Sequence, residues 1–344
     1  MAATWATQEE RGSPALLAFF TRSALALGRP FARLLLVPIS AYFVVAGGAA
    51  RRASRDYLAR ALGREPRLVD VFRHVHAFAS VTLDRLFLLN DRHDLFAIEV
   101  SGADIVQRAL FAGLRADGRR AARGAFVIGA HLGSFEAVRA SGRGEAALRV
   151  SMVMYEDNAR ALNRTLSAIN PGLVDGIIPL GRVDSMLRVK EALDRGGLVG
   201  MLADRTLGDD DGAGGVRIAT LFGAPVAIPT GPFRMAAMLK RPVVFIVGLY
   251  RGGNRYAVHY EELFDFSAGA AAGDASPQRT PADAIDAAIA RYVERLEHYC
   301  RVAPYNWFNF FDYWGDRTVD GAIRSTASAH ARPAADRRDG GGAA

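Results

Sequence analysis

The chain has 344 residues, half of them hydrophobic, with a formal charge of +7. That length allows one large domain or two small ones around a sizeable buried core. A single cysteine, Cys300, excludes an internal disulfide framework and a cysteine-rich metal site.

The charge is unevenly placed. The first 64 residues carry nine arginines against three acidic residues, a net of +6. The same stretch holds the most apolar run, residues 34–50 (LLLVPISAYFVVAGGAA), with arginine on both sides. An apolar run with arginine flanks suits an anionic membrane surface. Nucleic acid would attract the arginines but has no use for the run, and no nucleic-acid motif accompanies it. The run is at the short limit of roughly 17–25 residues for a spanning helix, and Pro38 lies within it. We therefore expect an interfacial or re-entrant anchor over 1–50, with a true span or a buried helix of the main domain as the alternatives.

Apolar periodicity predicts helices over 51–62 and 68–89 and a short strand over 95–100. A helix over 104–116 should end near Gly118. Strand–helix alternation then begins. Residues 124–130 (GAFVIGA) read as a buried parallel strand. Strands over 147–155, 175–180 and 198–203 alternate with helices over 158–170 and 185–195, the latter stopped by Gly196-Gly197. A helix over 232–240 has Pro at its first turn. Residues 242–250 and 255–261 read as a strand pair joined through Gly252-Gly253-Asn254. Residues 267–280 read as a loop, and Thr280-Pro281-Ala282-Asp283 opens a helix with a threonine cap. Its apolar stripe is Ile285, Ile289, Tyr292, Leu296 and Tyr299. The alternation predicts an α/β fold with a mostly parallel central sheet flanked by helices. The domain should run over 51–320, with a disordered Gly-rich tail over 321–344.

The sharpest chemical signal is Gly129-Ala130-His131-Leu132-Gly133-Ser134-Phe135-Glu136. A histidine just past the C-terminal end of an apolar strand stands where open α/β sheets bind ligands. On one regular helix His131 and Glu136 would lie roughly 140° apart and could not face each other. They meet only if His131 is in a turn and Glu136, in the first helical turn, reaches back. The carboxylate would then fix the imidazole tautomer while the other ring nitrogen takes a proton from a hydroxyl. Backbone amides near Gly133, and Arg205, are candidates to stabilise an oxyanion, with a structural ion pair as the alternative for Arg205. Ser134 reads as a turn residue, since Glu136 breaks the Gly-x-Ser-x-Gly elbow. Asp209-Asp210-Asp211-Gly212 lacks the spacing of a calcium loop and reads as a solvated loop. His74 and His76, two positions apart on a helix, point in different directions.

Taken together, the His131-x4-Glu136 phrase, the hydrophobic N-terminus, the strand end at Asp204-Arg205, and Leu221-Phe222-Gly223-Ala224-Pro225 with Thr230 beyond form a pattern. It resembles the bacterial lipid A late acyltransferases, the lauroyl and myristoyl transferases. That family sits within the wider His-x4-Asp/Glu glycerolipid and lysophospholipid acyltransferases. The resemblance spans residues 20–315 or so. It implies a glycerolipid-acyltransferase-like fold, with His131 as base and Glu136 orienting it. Gly133, Ser134, Asp204, Arg205, Gly223, Pro225 and Thr230 become candidate oxyanion, phosphate or substrate contacts. It further implies an acyl-carrier-protein or coenzyme A thioester as co-substrate, no resident cofactor or metal, and a lipid acceptor. The expected place is the inner membrane, with the catalytic domain on its cytoplasmic side.

Two departures bear on the acceptor. The family's Asp-Gln-Asp is replaced by Asp204-Arg205-Thr206, and the basic pair that follows its terminal Trp is absent after Trp307, where Phe308-Asn309-Phe310-Phe311 stands. The acceptor is therefore lipid A, a related lipid or a specialised metabolite. An esterase or thioesterase using the same dyad, and a non-catalytic binding module on the same fold, are the rival readings.

Overall fold

A computed structural model describes residues 23–114, 120–142, 150–155, 176–206, 215–267 and 280–315. The helix expected over 158–170, the acidic segment 209–212 and the tail 321–344 lie outside them.

Three helices come first: α1 (Arg29–Ala46), α2 (Gly48–Leu62) and α3 (Leu68–Leu89). They lead into β1 (Ala97–Ser101) and α4 (Ala103–Leu110). The helix expected to continue to 116 stops at Leu110, and the chain turns straight into β2 (Phe111–Leu114), paired with β3 (Arg120–Ala122). Strand pairing wins there because the freed carbonyls find partners. Leu110 O accepts the Arg123 amide, and Ala109 O accepts Arg123 Nε.

The alternating region forms β4 (Ala125–Gly129), α5 (Phe135–Ser141), β5 (Val150–Tyr155), β6 (Ile177–Leu180), α6 (Ser185–Asp194) and β7 (Leu198–Leu202). A hairpin of β8 (Val216–Leu221) and β9 (Ala224–Pro229) follows, then α7 (Gly231–Met238), β10 (Pro242–Tyr250), β11 (Arg255–Asp265) and α8 (Pro281–Val302). Seven strands form one sheet in the order β1-β11-β10-β4-β7-β5-β6. Every neighbouring pair is parallel except β10 with β11. The molecule is thus α/β with a mostly parallel sheet flanked by helices. β4 lies mid-sheet, and all five of its residues are buried, as an unbroken apolar run requires. On α8, Thr280 accepts from the Asp283 amide and Asp283 accepts from the Thr280 amide, a reciprocal cap. The stripe residues Ile289, Tyr292, Leu296 and Tyr299 are buried against the sheet core.

α1 is long and apolar enough to cross a membrane. It lies against α3, burying Ala32, Leu36 and Val44 on one face. Its two charges, Arg29 and Arg33, both turn toward the protein. Arg29 makes two bonds to the buried Asp84 and a third to Gly253 O. Arg33 bonds Gly253 O and Tyr250 Oη. The outward face carries no charge and exposes large apolar side chains, Leu34 at 70% and Val45 at 75% among them.

Candidate active site

The parallel register of β4 and β7 builds the site. Gly129 stands opposite Leu202, and the Ala203 amide continues the pairing by donating to Gly129 O. Two residues beyond that rung come His131 on one strand and Asp204 on the other. The two side chains meet: His131 Nδ1 is 2.9 Å from Asp204 Oδ1. Asp204 Oδ2 accepts the His131 backbone N–H at 3.0 Å and the Trp307 indole N–H at 3.0 Å. A carboxylate only accepts, so Nδ1 carries a proton, and whenever the ring is neutral its lone pair is on Nε2. The His131 side chain remains 36% exposed, and among the described residues nothing hydrogen-bonds to its Nε2.

Asp204 is fully buried. Burial by itself would raise its pKa. The charge and hydrogen bond of His131, the charge of Arg205 and the Trp307 donor together outweigh that effect. They hold the carboxyl well below the usual range. Asp204 is therefore ionised at neutral pH.

The carboxylate on the imidazole is thus Asp204, where the sequence pattern pointed to Glu136. The reason is local. Leu132 bridges antiparallel to Trp307, and Gly133 bridges parallel to Gly248. Residues 131–134 consequently run along the sheet instead of turning tightly. α5 begins only at Phe135, capped by Ser134, whose hydroxyl accepts from the Ala137 amide. Glu136 enters the first turn of α5 and pairs with Arg85 of α3, 2.7 Å from its Nε.

The expected oxyanion amides are engaged elsewhere. The Gly133 amide donates to Asn306 O, and the Ser134 amide to Gly248 O. Gly133 sits at φ 76°, and a Cβ there would lie 2.0 Å from Gly248 O, so only glycine fits. Arg205 donates from Nη2 to Phe308 O at 2.9 Å and lies over the Phe311 ring. It ties down the segment that closes the site, and its charge adds to the field on Asp204.

Gly223, Pro225 and Thr230 belong to the β8–β9 hairpin and its exit. Phe222 and Gly223 form its two-residue turn, both with positive φ (53° and 77°). Pro225 faces Thr220 across the hairpin, and Thr230 donates to Gly215 O before α7. These bonds build the hairpin, and none of them reaches the His131–Asp204 pair. An open cleft of about 660 Å³ between β8 and α8 is also separate from that pair. Its main charges are already matched, Arg217 with Asp286 and Arg301 with Glu297.

Residues 304–315 close the site; by sequence the aromatic run 307–314 reads equally as acyl-pocket lining, core or membrane contact. Asn306 grips the backbone of Tyr250 with both ends of its amide. Phe308 donates its N–H to His131 O. Behind Trp307 stands a fully buried His74: its Nε2 donates to Trp307 O, and its Nδ1 accepts from Ser54. Burial pulls the pKa of His74 down to about 4, so it is neutral. No family model matches the chain, and no curated protein matches it.

Proposed function

We propose that this chain is an acyltransferase. It moves a fatty acyl group from a thioester of acyl-carrier protein or coenzyme A to a hydroxyl of a lipid or lipid-like acceptor at a membrane surface. The observation that carries the reading is the half-exposed imidazole of His131, with an ionised, buried Asp204 on one nitrogen and the other nitrogen open.

The mechanism is direct transfer. The acceptor hydroxyl gives its proton to His131 Nε2 as its oxygen attacks the thioester carbonyl, and the carbonyl π pair moves onto oxygen. When that pair re-forms the carbonyl, the C–S bond breaks and the departing sulfur takes the proton back from Nε2. Asp204 balances the positive charge of the ring in between. No residue need be acylated. The resemblance noted above, through His131, the Asp204-Arg205 strand end and the apolar N-terminus, supports the acyl and lipid classes. The inward-turned arginines of α1 and its charge-free outer face support seating at a bilayer surface, helped by the exposed Arg52 and Arg55 of α2.

The test is transfer of a labelled acyl group from a thioester donor to lipid extracts, comparing the parent with His131→Ala. Loss of the base should slow transfer by about 10²–10⁴, with circular dichroism unchanged. Parent-like transfer by folded His131→Ala would sink the reading. Release of free fatty acid with no acylated product would replace it with a hydrolase, water taking the place of the acceptor.

A further inference from the structure

Asn309 is 1% exposed, yet neither Nδ2 nor Oδ1 has a hydrogen-bond partner among the described residues. An amide is rarely buried with both ends unpaired, because each end loses its water and gains nothing. Such a group, when retained in a folded protein, points to a partner that arrives later.

Its position says which partner. Asn309 follows Phe308, the residue whose N–H holds His131 O, and its own N–H folds back onto Trp307 O. Trp307 in turn holds Asp204. Asn309 is therefore bound by backbone to the residues that fix both members of the His131–Asp204 pair. The backbone amides that such a turn would normally aim at an oxyanion are spent, Gly133 on Asn306 and Ser134 on Gly248. Acyl transfer still puts negative charge on the former carbonyl oxygen, and that charge needs a donor.

We propose that the Asn309 side-chain amide is a catalytic residue: its Nδ2–H donates to the thioester carbonyl oxygen and more strongly to the oxyanion formed from it. This rests on the acyl-transfer reading above. The donor is a neutral carboxamide, so it loses no proton and the electron flow of the transfer is unchanged. Because Nδ2 is shielded from solvent in the free protein, the substrate reaches it only by displacing a neighbouring side chain. The donated bond forms in a water-free setting, where it is strongest.

The full-length chain carrying Asn309→Leu and, separately, Asn309→Asp tests this. Leu removes an unpaired amide, so thermal stability should hold or rise. The kcat for acyl transfer should fall about 10²–10³ while the KM for the thioester changes little. Asp keeps the shape; assayed at high pH, where even a buried carboxyl is ionised, it offers only an acceptor and should lose at least as much. The inference is overturned if Asn309→Leu turns over at the parent rate or if Asn309→Asp keeps its kcat. It is equally overturned if Asn309→Leu lowers the melting temperature, because the amide then has a partner in the free protein. His131→Ala in the same assay separates the two levels. Activity surviving there fails the acyl-transfer reading itself, whereas an inactive His131→Ala beside a normal Asn309→Leu fails only the assignment of Asn309.

Discussion

Asp84 and Asp204 are both fully buried, and their surroundings are built alike. Each accepts from a buried aromatic donor, Tyr256 for Asp84 and Trp307 for Asp204. Each accepts two bonds from one basic residue. Arg29 supplies both Nε and Nη2 to Asp84, and His131 supplies its backbone N–H and Nδ1 to Asp204. The difference lies in the partner. A guanidinium holds its proton throughout the physiological range and is itself buried here, so the Asp84 junction is a fixed clamp between α1 and α3. An imidazole changes charge readily, and His131 keeps one nitrogen toward the outside. One arrangement is therefore a rivet, and the other is the site at which the proposed proton transfer would take place.

Amidating Asp204 is expected to show the largest effect. Asp204→Asn keeps the volume and loses the charge that balances the ring, and acyl transfer should fall roughly 10³–10⁴. Transfer within a factor of a few of the parent would break the contrast with Asp84. At the rivet, Arg29→Met leaves Asp84 buried without a cation. It should cost about 3–5 kcal/mol in urea unfolding while the folded protein keeps its specific activity. Restoring stability with the second change Asp84→Leu would sharpen the comparison, since a matched apolar pair needs no charge.

His74 gives a smaller, pH-dependent effect. Its folded pKa of about 4 lies below the unfolded 6.5, so the unfolded chain binds the proton first as pH falls. Stability should drop between pH 6.5 and about 4, by about 3 kcal/mol from this residue. The difference in unfolding free energy between parent and His74→Gln, followed across that window, isolates it, and a flat difference would refute it. The smallest change is expected from Glu136→Gln, which loosens the contact with the half-exposed Arg85 and should cost less than about tenfold in rate. A loss as deep as that of Asp204→Asn would return Glu136 to the centre.

The sequence disclosed elements wherever a local pattern decides. The apolar run ending at Gly129, the Thr280–Asp283 cap and the limits of α3 are all readable from neighbouring residues. His131 was readable too, because its place past a strand end is local. Its acid was not: Asp204 meets it only because β4 and β7 are adjacent and in a register that no short-range pattern encodes. Glu136 was the nearer carboxylate in sequence and the wrong one in space. The β8–β9 hairpin was missed because its turn uses Phe222 at positive φ, where asparagine or glycine would have signalled it. The role of residues 304–315 was hidden for the same reason as that of Asp204, since an aromatic run looks like core until its bonds are known.

Trp307 holds Asp204 across a separation of 103 residues, and Phe308 holds His131 from the same late stretch. This sets an order during synthesis. A ribosome that has emitted His131 and Asp204 has made both members of the pair but neither of the bonds that fix them from behind. A chain broken off before residue 307 would carry the pair without the two bonds that fix it from behind.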